Sequence, residues 1–179
     1  MTFHSTILIL PGLGNSGDQH WQTLWEKKFS FTRIIQKEWD SPDCAEWASH
    51  LDEMVQHFDL SKVILVGHSS ACALVAFWAD KYKRKIKGAL LVGPSDSEAD
   101  SYPKEPTGFA PMPLNRIPFP TIVVASTNDI YVTKERATYF SDCWGSELVS
   151  VGEKGHINSA SNLGLWEEGL ELLKKLDGV

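Results

Sequence analysis

The chain has 179 residues, of which 42% are hydrophobic, and its formal net charge is −6. This length favours a single domain over residues 1–179, and the negative charge argues against nucleic acid or an anionic membrane surface as a partner. No apolar run is long enough to span a bilayer, the first four residues carry no signal-peptide pattern, and the three cysteines have no paired spacing. We therefore expect a cytoplasmic protein without structural disulfides.

Strand and helix patterns alternate along the chain. Short apolar runs that end in turn residues predict strands, and apolar residues at helical spacing predict helices. The predicted strands span 5–10, 32–39, 63–66, 86–92, 121–125 and 147–151. The predicted helices span 18–29, 42–58, 70–82, 133–144 and 163–176. Asp18 is the predicted N-cap of the first helix, and the strand over 32–39 is more polar, which places it near an edge of the sheet.

This alternation predicts an α/β fold with about six parallel strands and helices on both faces of the sheet. One segment, 94–120, breaks the alternation and holds seven of the nine prolines. It leaves the C-terminal end of a predicted strand, where open α/β sheets bind ligands. We interpret it as a pocket wall or a short flap, with a plain surface excursion as the alternative.

The most informative motif joins the strand at 63–66 to the helix that follows it. Gly67 and Ser69 lie in a sharp turn between an apolar strand and a helix of small residues, which is the layout of a nucleophile elbow. The second glycine that this motif usually carries is replaced by Ala71, which is still small. Ser69 is therefore the candidate nucleophile.

A serine nucleophile needs a base and an acid that orients the base, and α/β-hydrolases place them in the chain order serine, acid, histidine. His156 follows the sixth predicted strand and is the candidate base, because His68 lies inside the turn itself. Asp129 follows the fifth strand and is the preferred acid. Asp96, which follows the fourth strand, is the competing acid.

The same mechanism needs donors for an oxyanion and a wall for the substrate. The expected donors are the backbone N–H of Ser70 and a backbone N–H in the loop after the first strand, for which Leu13 is the candidate. Apolar residues of the 94–120 segment are candidates for the substrate wall: Phe109, Met112 and Leu114.

The first loop also supports a different hypothesis. Residues 12–17 match the pattern G-x-G-x-x-G between a strand and a helix, and Glu38 lies further along in the place of the acidic residue of a dinucleotide-binding fingerprint. Against this hypothesis, the predicted N-cap Asp18 puts a carboxylate where the phosphates would bind. The hydrolase hypothesis explains the same glycines as a turn that presents amides to an oxyanion.

Five segments of the chain resemble a known family: 10–21, 39–47, 67–70, 126–129 and, most specifically, 155–166. They are similar to the small serine hydrolases related to retinoblastoma-binding protein nine and to the bacterial protein YdeN. The resemblance implies a minimal α/β-hydrolase that lacks the first two strands and the large cap domain. It places the catalytic triad on Ser69, Asp129 and His156, and it suggests that His20 lines the site from the first loop.

We expect an esterase-like hydrolase of small carboxylic esters or activated amides, with no metal and no organic cofactor. A second hypothesis is a protein-binding module that keeps the fold without catalysis. The Leu-x-Cys-x-Glu motif of retinoblastoma ligands is not present, because Pro42 stands where the leucine is needed before Cys44 and Glu46. A retinoblastoma-type partner is therefore not inferred, and the sequence leaves any protein partner unknown.

Overall fold

A six-stranded, fully parallel sheet forms the centre of the computed structural model, which describes residues 2–179. The strand order is β2-β1-β3-β4-β5-β6. The strands are β1 (Thr6–Leu10), β2 (Thr32–Arg33), β3 (Val63–His68), β4 (Gly88–Val92), β5 (Thr121–Ala125) and β6 (Glu147–Ser150). The helices are α1 (Trp21–Phe29), α2 (Cys44–Val55), α3 (Ser70–Tyr82), α4 (Lys134–Trp144) and α5 (Glu167–Asp177).

Successive strand residues point to opposite faces of the sheet, and both faces are covered by helices. Leu8 and Leu10 of β1 pack in one cluster with residues of α2, α3 and α4. Ile7 and Ile9 pack in a second cluster with Trp21 of α1 and residues of α5. The strands are buried from both sides, which is why they appear in the sequence as nearly continuous apolar runs.

Several predicted bounds differ from the structure: the helix predicted over 163–176 begins at Glu167, and the helix predicted over 42–58 spans Cys44–Val55. The strand predicted over 32–39 is only two residues long: β2 is an edge strand that pairs with β1 alone, and its last contact with β1 is the hydrogen bond from the N–H of the buried Ile34 to the carbonyl of Ile9. The N-cap of α1 is His20 and not Asp18, so that prediction was wrong. His20 Nδ1 accepts a hydrogen bond from the N–H of Gln22 at 3.2 Å, whereas Asp18 is exposed and pairs with Lys27.

The parallel arrangement brings the C-terminal ends of all six strands to one edge of the sheet. The loops that follow β1, β3, β4, β5 and β6 therefore meet there. Among residues 2–179, no helix combines the length and the apolar character that a bilayer crossing needs.

Candidate active site

Ser69 lies in a strained turn between β3 and α3. Its backbone has φ 60° and ψ −127°, a conformation that residues other than glycine rarely adopt. The N–H of Ser69 donates to the carbonyl of Val92 at 3.0 Å, and its carbonyl accepts from the N–H of Cys72 at 3.0 Å. A Cβ on Gly67 would lie 3.2 Å from the carbonyl oxygen of Ala71, so strand and helix approach each other very closely. The turn thus holds the Ser69 hydroxyl above the edge of the sheet.

Three side chains from different loops form one hydrogen-bonded chain at this edge. His156 Nε2 lies 2.9 Å from Ser69 Oγ, and His156 Nδ1 lies 2.8 Å and 3.0 Å from the two carboxylate oxygens of Asp129. A carboxylate only accepts hydrogen bonds, so Nδ1 carries the proton and Nε2 is free to accept from the serine hydroxyl. The side chain of Asp129 is fully buried and also accepts from the N–H of Tyr131 at 2.9 Å.

Asp96, the competing acid, faces a different partner. Its two carboxylate oxygens accept from Arg136 Nε at 2.7 Å and from Arg136 Nη2 at 3.0 Å. This bidentate geometry satisfies the carboxylate of Asp96, whereas His156 Nδ1 bonds to Asp129. The structure therefore brings Asp129, and not Asp96, to the histidine.

The loop after β1 lies directly against the turn that holds Ser69. A Cβ on Gly12 would lie 2.8 Å from the carbonyl oxygen of His68 and 2.8 Å from Ser69 Cβ, so only glycine fits there. Leu13, the next residue, lines the same cavity as Ser69 and Ser70. Within residues 2–179, no protein group accepts a hydrogen bond from the backbone N–H of Leu13 or of Ser70.

A profile of the serine hydrolase family matches residues 7–175. The chain belongs to the serine hydrolase family. As a member of this family, the protein is a hydrolase. We expect hydrolysis to take place around Ser69. None of the curated proteins compared with this chain matches it.

Several solved structures share the fold of this serine hydrolase. A YdeN-like hydrolase from Pectobacterium atrosepticum is 33% identical, with 97% of this chain and 90% of that chain covered and a TM-score of 0.84. The ydeN gene product from B. subtilis is 16% identical over 98% of this chain and all of that chain, with a TM-score of 0.75. Est1E from Butyrivibrio proteoclasticus, solved with ferulic acid, is 12% identical over 98% of this chain and 90% of that chain, with a TM-score of 0.72. The fold is thus that of a minimal α/β-hydrolase without a large cap, as the sequence predicted.

Three histidine rings of the serine hydrolase lie one behind another under the site. The ring centroids of His20 and His68 are 4.8 Å apart, and those of His68 and His156 are 4.9 Å apart. His68 Nε2 donates to the carbonyl oxygen of His156 at 2.9 Å, which ties the loop of His156 to the turn of Ser69. Burial, with the nearby His156 and His20, holds the pKa of His68 well below its usual range. Burial, with Arg33 and His156 nearby, lowers the pKa of His20 to about 4.

A cavity of about 440 Å³ opens above Ser69. No Asp, Glu, Lys or Arg side chain of the described residues lines it. Its walls are Leu13, Asn15, His20, His68, Ser69, Ser70, Ser95, Tyr102, Pro103, Tyr131, His156, Asn158, Ser159 and Ala160. His20, which the resemblance suggested as a lining residue, is one of these walls.

The apolar residues predicted to form the substrate wall are elsewhere. Phe109 and Met112 are almost fully buried in the core between the sheet and α2 and α3, and neither lines the cavity. Phe109 packs edge-on against the ring of Trp47. Leu114 is partly exposed and also lies outside the cavity wall. Phe109 and Met112 stabilise the 94–120 segment by packing, because hydrophobicity in a proline-rich loop predicts burial better than ligand contact.

The 94–120 segment does form part of the wall, through residues that the sequence did not single out. Ser95, Tyr102 and Pro103 line the cavity, and Tyr102 Oη lies 2.9 Å from Ser70 Oγ. The position of the segment after β4 was a usable signal for a wall. No local pattern distinguished these three residues from the rest of the segment.

The glycine-rich loop does not present an open helix end. The ring of His20 accepts from the first turn of α1, so the helix N-terminus that a pyrophosphate would need is already capped. The side-chain oxygen of Asn15 accepts from Arg33 Nη1 at 2.6 Å and from the N–H of Ser16 at 2.8 Å. The glycines instead allow the loop to approach Ser69.

Proposed function

We propose that this chain is a single-domain serine esterase that cleaves small carboxylic esters or activated amides through an acyl-enzyme. The observation that carries the proposal is the continuous chain from Ser69 Oγ to His156 Nε2 at 2.9 Å and from His156 Nδ1 to Asp129 Oδ2 at 2.8 Å. A serine hydroxyl is a weak nucleophile, and an adjacent base that is itself oriented by a carboxylate makes it reactive.

In the proposed reaction, Ser69 Oγ attacks the substrate carbonyl while its proton moves to His156 Nε2. Asp129 accepts the Nδ1–H throughout and stabilises the positive charge that forms on the ring. The backbone N–H groups of Leu13 and Ser70 donate to the oxyanion. His156 then gives the proton to the leaving group, and a water molecule activated by the same nitrogen releases the acyl group from Ser69.

The cavity favours a small, uncharged substrate. Its volume is about 440 Å³, and its polar walls carry hydroxyl, amide and imidazole groups but no charged carboxylate or ammonium among residues 2–179. A charged acyl group would lose its hydration there without gaining an ion pair. We also propose that the enzyme acts in the cytoplasm on a small molecule, without nucleic acid or membrane as a partner.

A fluorophosphonate probe tests the nucleophile. We expect the wild-type protein to be labelled and mass spectrometry to locate the label on Ser69 and not on the adjacent Ser70, because Ser69 Oγ lies 2.9 Å from His156 Nε2, whereas Ser70 Oγ pairs with Tyr102 Oη. The Ser69→Ala variant should take up no label, and its circular dichroism spectrum should match the wild type. Labelling that persists in Ser69→Ala would show that another residue is the nucleophile.

A panel of p-nitrophenyl esters with short acyl chains tests turnover and the non-enzymatic alternative. We expect release of p-nitrophenol by the wild type and none above background by Ser69→Ala. Esters that remain intact with folded wild-type protein would favour a binding module that keeps the hydrolase fold without catalysis.

A further inference from the structure

A second serine hydroxyl touches the Ser69 hydroxyl. Ser95 lies in the loop after β4, and its Oγ is 2.9 Å from Ser69 Oγ. Ser95 is only 3% exposed, yet it belongs to the wall of the cavity above Ser69. Among residues 2–179, the Ser69 hydroxyl therefore has two hydrogen-bond partners, His156 and Ser95.

The positions of the protons follow from what each group can donate. His156 Nδ1 donates to the Asp129 carboxylate, so His156 Nε2 has no proton and accepts. Among residues 2–179, the Ser69 hydroxyl is the one donor within hydrogen-bond distance of Nε2, and it has a single proton. Ser69 cannot also donate to Ser95, so Ser95 Oγ donates to Ser69 Oγ.

We propose that Ser95 is a catalytic residue, a donor that stabilises the negative charge on Ser69 Oγ as its proton moves to His156. This inference rests on the proposed function. The proton of Ser95 stays on Ser95, and no bond to Ser95 is made or broken. Its contribution is greatest where Ser69 Oγ is most negative, which is while the bond between Oγ and the carbonyl carbon forms in acylation and while that bond breaks in deacylation.

The loop that carries Ser95 is held in place by hydrogen bonds and by close packing. The next residue, Asp96, is clamped by the two hydrogen bonds from Arg136, and its N–H donates to the carbonyl of Tyr131 at 3.0 Å. Gly93 has φ +55°, and a Cβ there would lie 3.5 Å from both Asp129 Oδ2 and His156 Nδ1. The loop is thus packed against the same side chains that orient His156, which fixes the backbone from which the Ser95 hydroxyl reaches Ser69.

The same loop offers a matched control in Ser97. Ser97 is also buried, but its hydroxyl donates to the carbonyl oxygen of Phe109 and does not touch Ser69. Removing either hydroxyl disturbs a buried hydrogen bond of the same loop. Only the removal of Ser95 is expected to change the rate of the chemical step.

The experiment compares Ser95→Ala, Ser95→Thr and Ser97→Ala with the wild type. For Ser95→Ala we expect the fluorophosphonate labelling rate and kcat for a p-nitrophenyl ester to fall about 10–100-fold, with KM nearly unchanged, since a hydrogen bond to a developing charge is lost. Ser95→Thr keeps the hydroxyl and should recover most of the rate. Ser97→Ala should label at the wild-type rate, whatever its thermal stability.

Two results would overturn the inference. One is a Ser95→Ala variant that is labelled within about twofold of the wild-type rate. The other is an equal loss of rate in Ser95→Ala and Ser97→Ala, which would assign both hydroxyls a purely structural role. Either result leaves the proposed function intact, because that proposal fails only if Ser69→Ala is still labelled or the wild type does not turn over.

Discussion

At the scale of single residues, the choice between Asp96 and Asp129 depends on a residue that the local sequence does not reveal. Both carboxylates follow a strand at the same edge of the sheet, so spacing alone allows either to face His156. Arg136, which lies on α4, takes Asp96 in a bidentate pair, and no cation contacts Asp129 among the described hydrogen bonds and ion pairs. Chain order favoured Asp129, and the arginine supplies the physical reason.

Asp129→Asn tests the role of this carboxylate. An amide at this position can donate to His156 Nδ1, which favours the tautomer with the proton on Nε2, where it cannot accept from Ser69. We expect kcat for a p-nitrophenyl ester to fall by about 10³–10⁴-fold with little change in KM. Steady-state kinetics over a range of ester concentrations separates the two constants.

Asp96→Asn is the matched control for that variant. It weakens the ion pair with Arg136, so we expect a lower midpoint of thermal unfolding and a far smaller change in kcat. An equally severe loss of turnover in Asp96→Asn and Asp129→Asn would contradict the assignment of Asp129 as the one carboxylate that orients His156.

At the scale of secondary structure, the strands of the sheet interior were predicted better than the entry to α1. Apolar runs identify β1, β3, β4 and β5 because both faces of these strands are buried. The cap of α1 could not be predicted in this way. Asp18 has the better intrinsic preference for an N-cap, but the chain turns through a hydrogen bond from the His20 N–H to the Gly17 carbonyl, and the helix begins only after His20.

Gly12→Ala tests the contact between the first loop and the turn that holds Ser69. The added Cβ would lie 2.8 Å from the carbonyl oxygen of His68 and 3.3 Å from Ser69 Oγ, so the loop must move away from the turn. That movement would shift the backbone N–H of Leu13 away from the position in which it is proposed to donate to the oxyanion. We expect kcat/KM to fall about 10²-fold or more, a loss typical of one oxyanion donor.

Gly17→Ala provides the control in the same loop. No atom lies within 4 Å of a Cβ at Gly17, and its φ is not in the left-handed region. Activity should stay at the wild-type level, and the free energy of unfolding should stay equal or rise by about 0.4–1 kcal/mol, because alanine restricts the unfolded chain. Equal losses of kcat/KM in both variants would contradict the proposed contact at Gly12.

At the scale of the whole molecule, the sequence predicted the convergence of Ser69, Asp129 and His156, because each follows a strand of one parallel sheet. It did not predict the row of histidine rings beneath them. His20 precedes α1, His68 ends β3, and His156 follows β6, so their contact exists only in the folded chain. No periodicity or motif within one segment carries that information.

This row of rings makes the stability of the fold depend on pH. In the folded chain the pKa of His20 is lowered from 6.5 to about 4, mainly by burial, and the pKa of His68 also lies well below 6.5. Near pH 5 the unfolded chain therefore binds two protons that the folded chain does not. The free energy of unfolding should be fully retained above about pH 6.5 and should fall as the pH drops towards 4, by up to about 1.4 kcal/mol per pH unit for each histidine.

Urea denaturation of the wild type and of His20→Asn between pH 7 and pH 4.5 measures this dependence. Asparagine keeps a side-chain oxygen that can accept from the Gln22 N–H and cap α1, but it does not titrate. The slope of unfolding free energy against pH should therefore drop by about half in His20→Asn. A wild-type curve that is flat between pH 6.5 and pH 5 would mean that both histidines bind protons as readily in the folded chain, which is incompatible with their burial against each other and against His156.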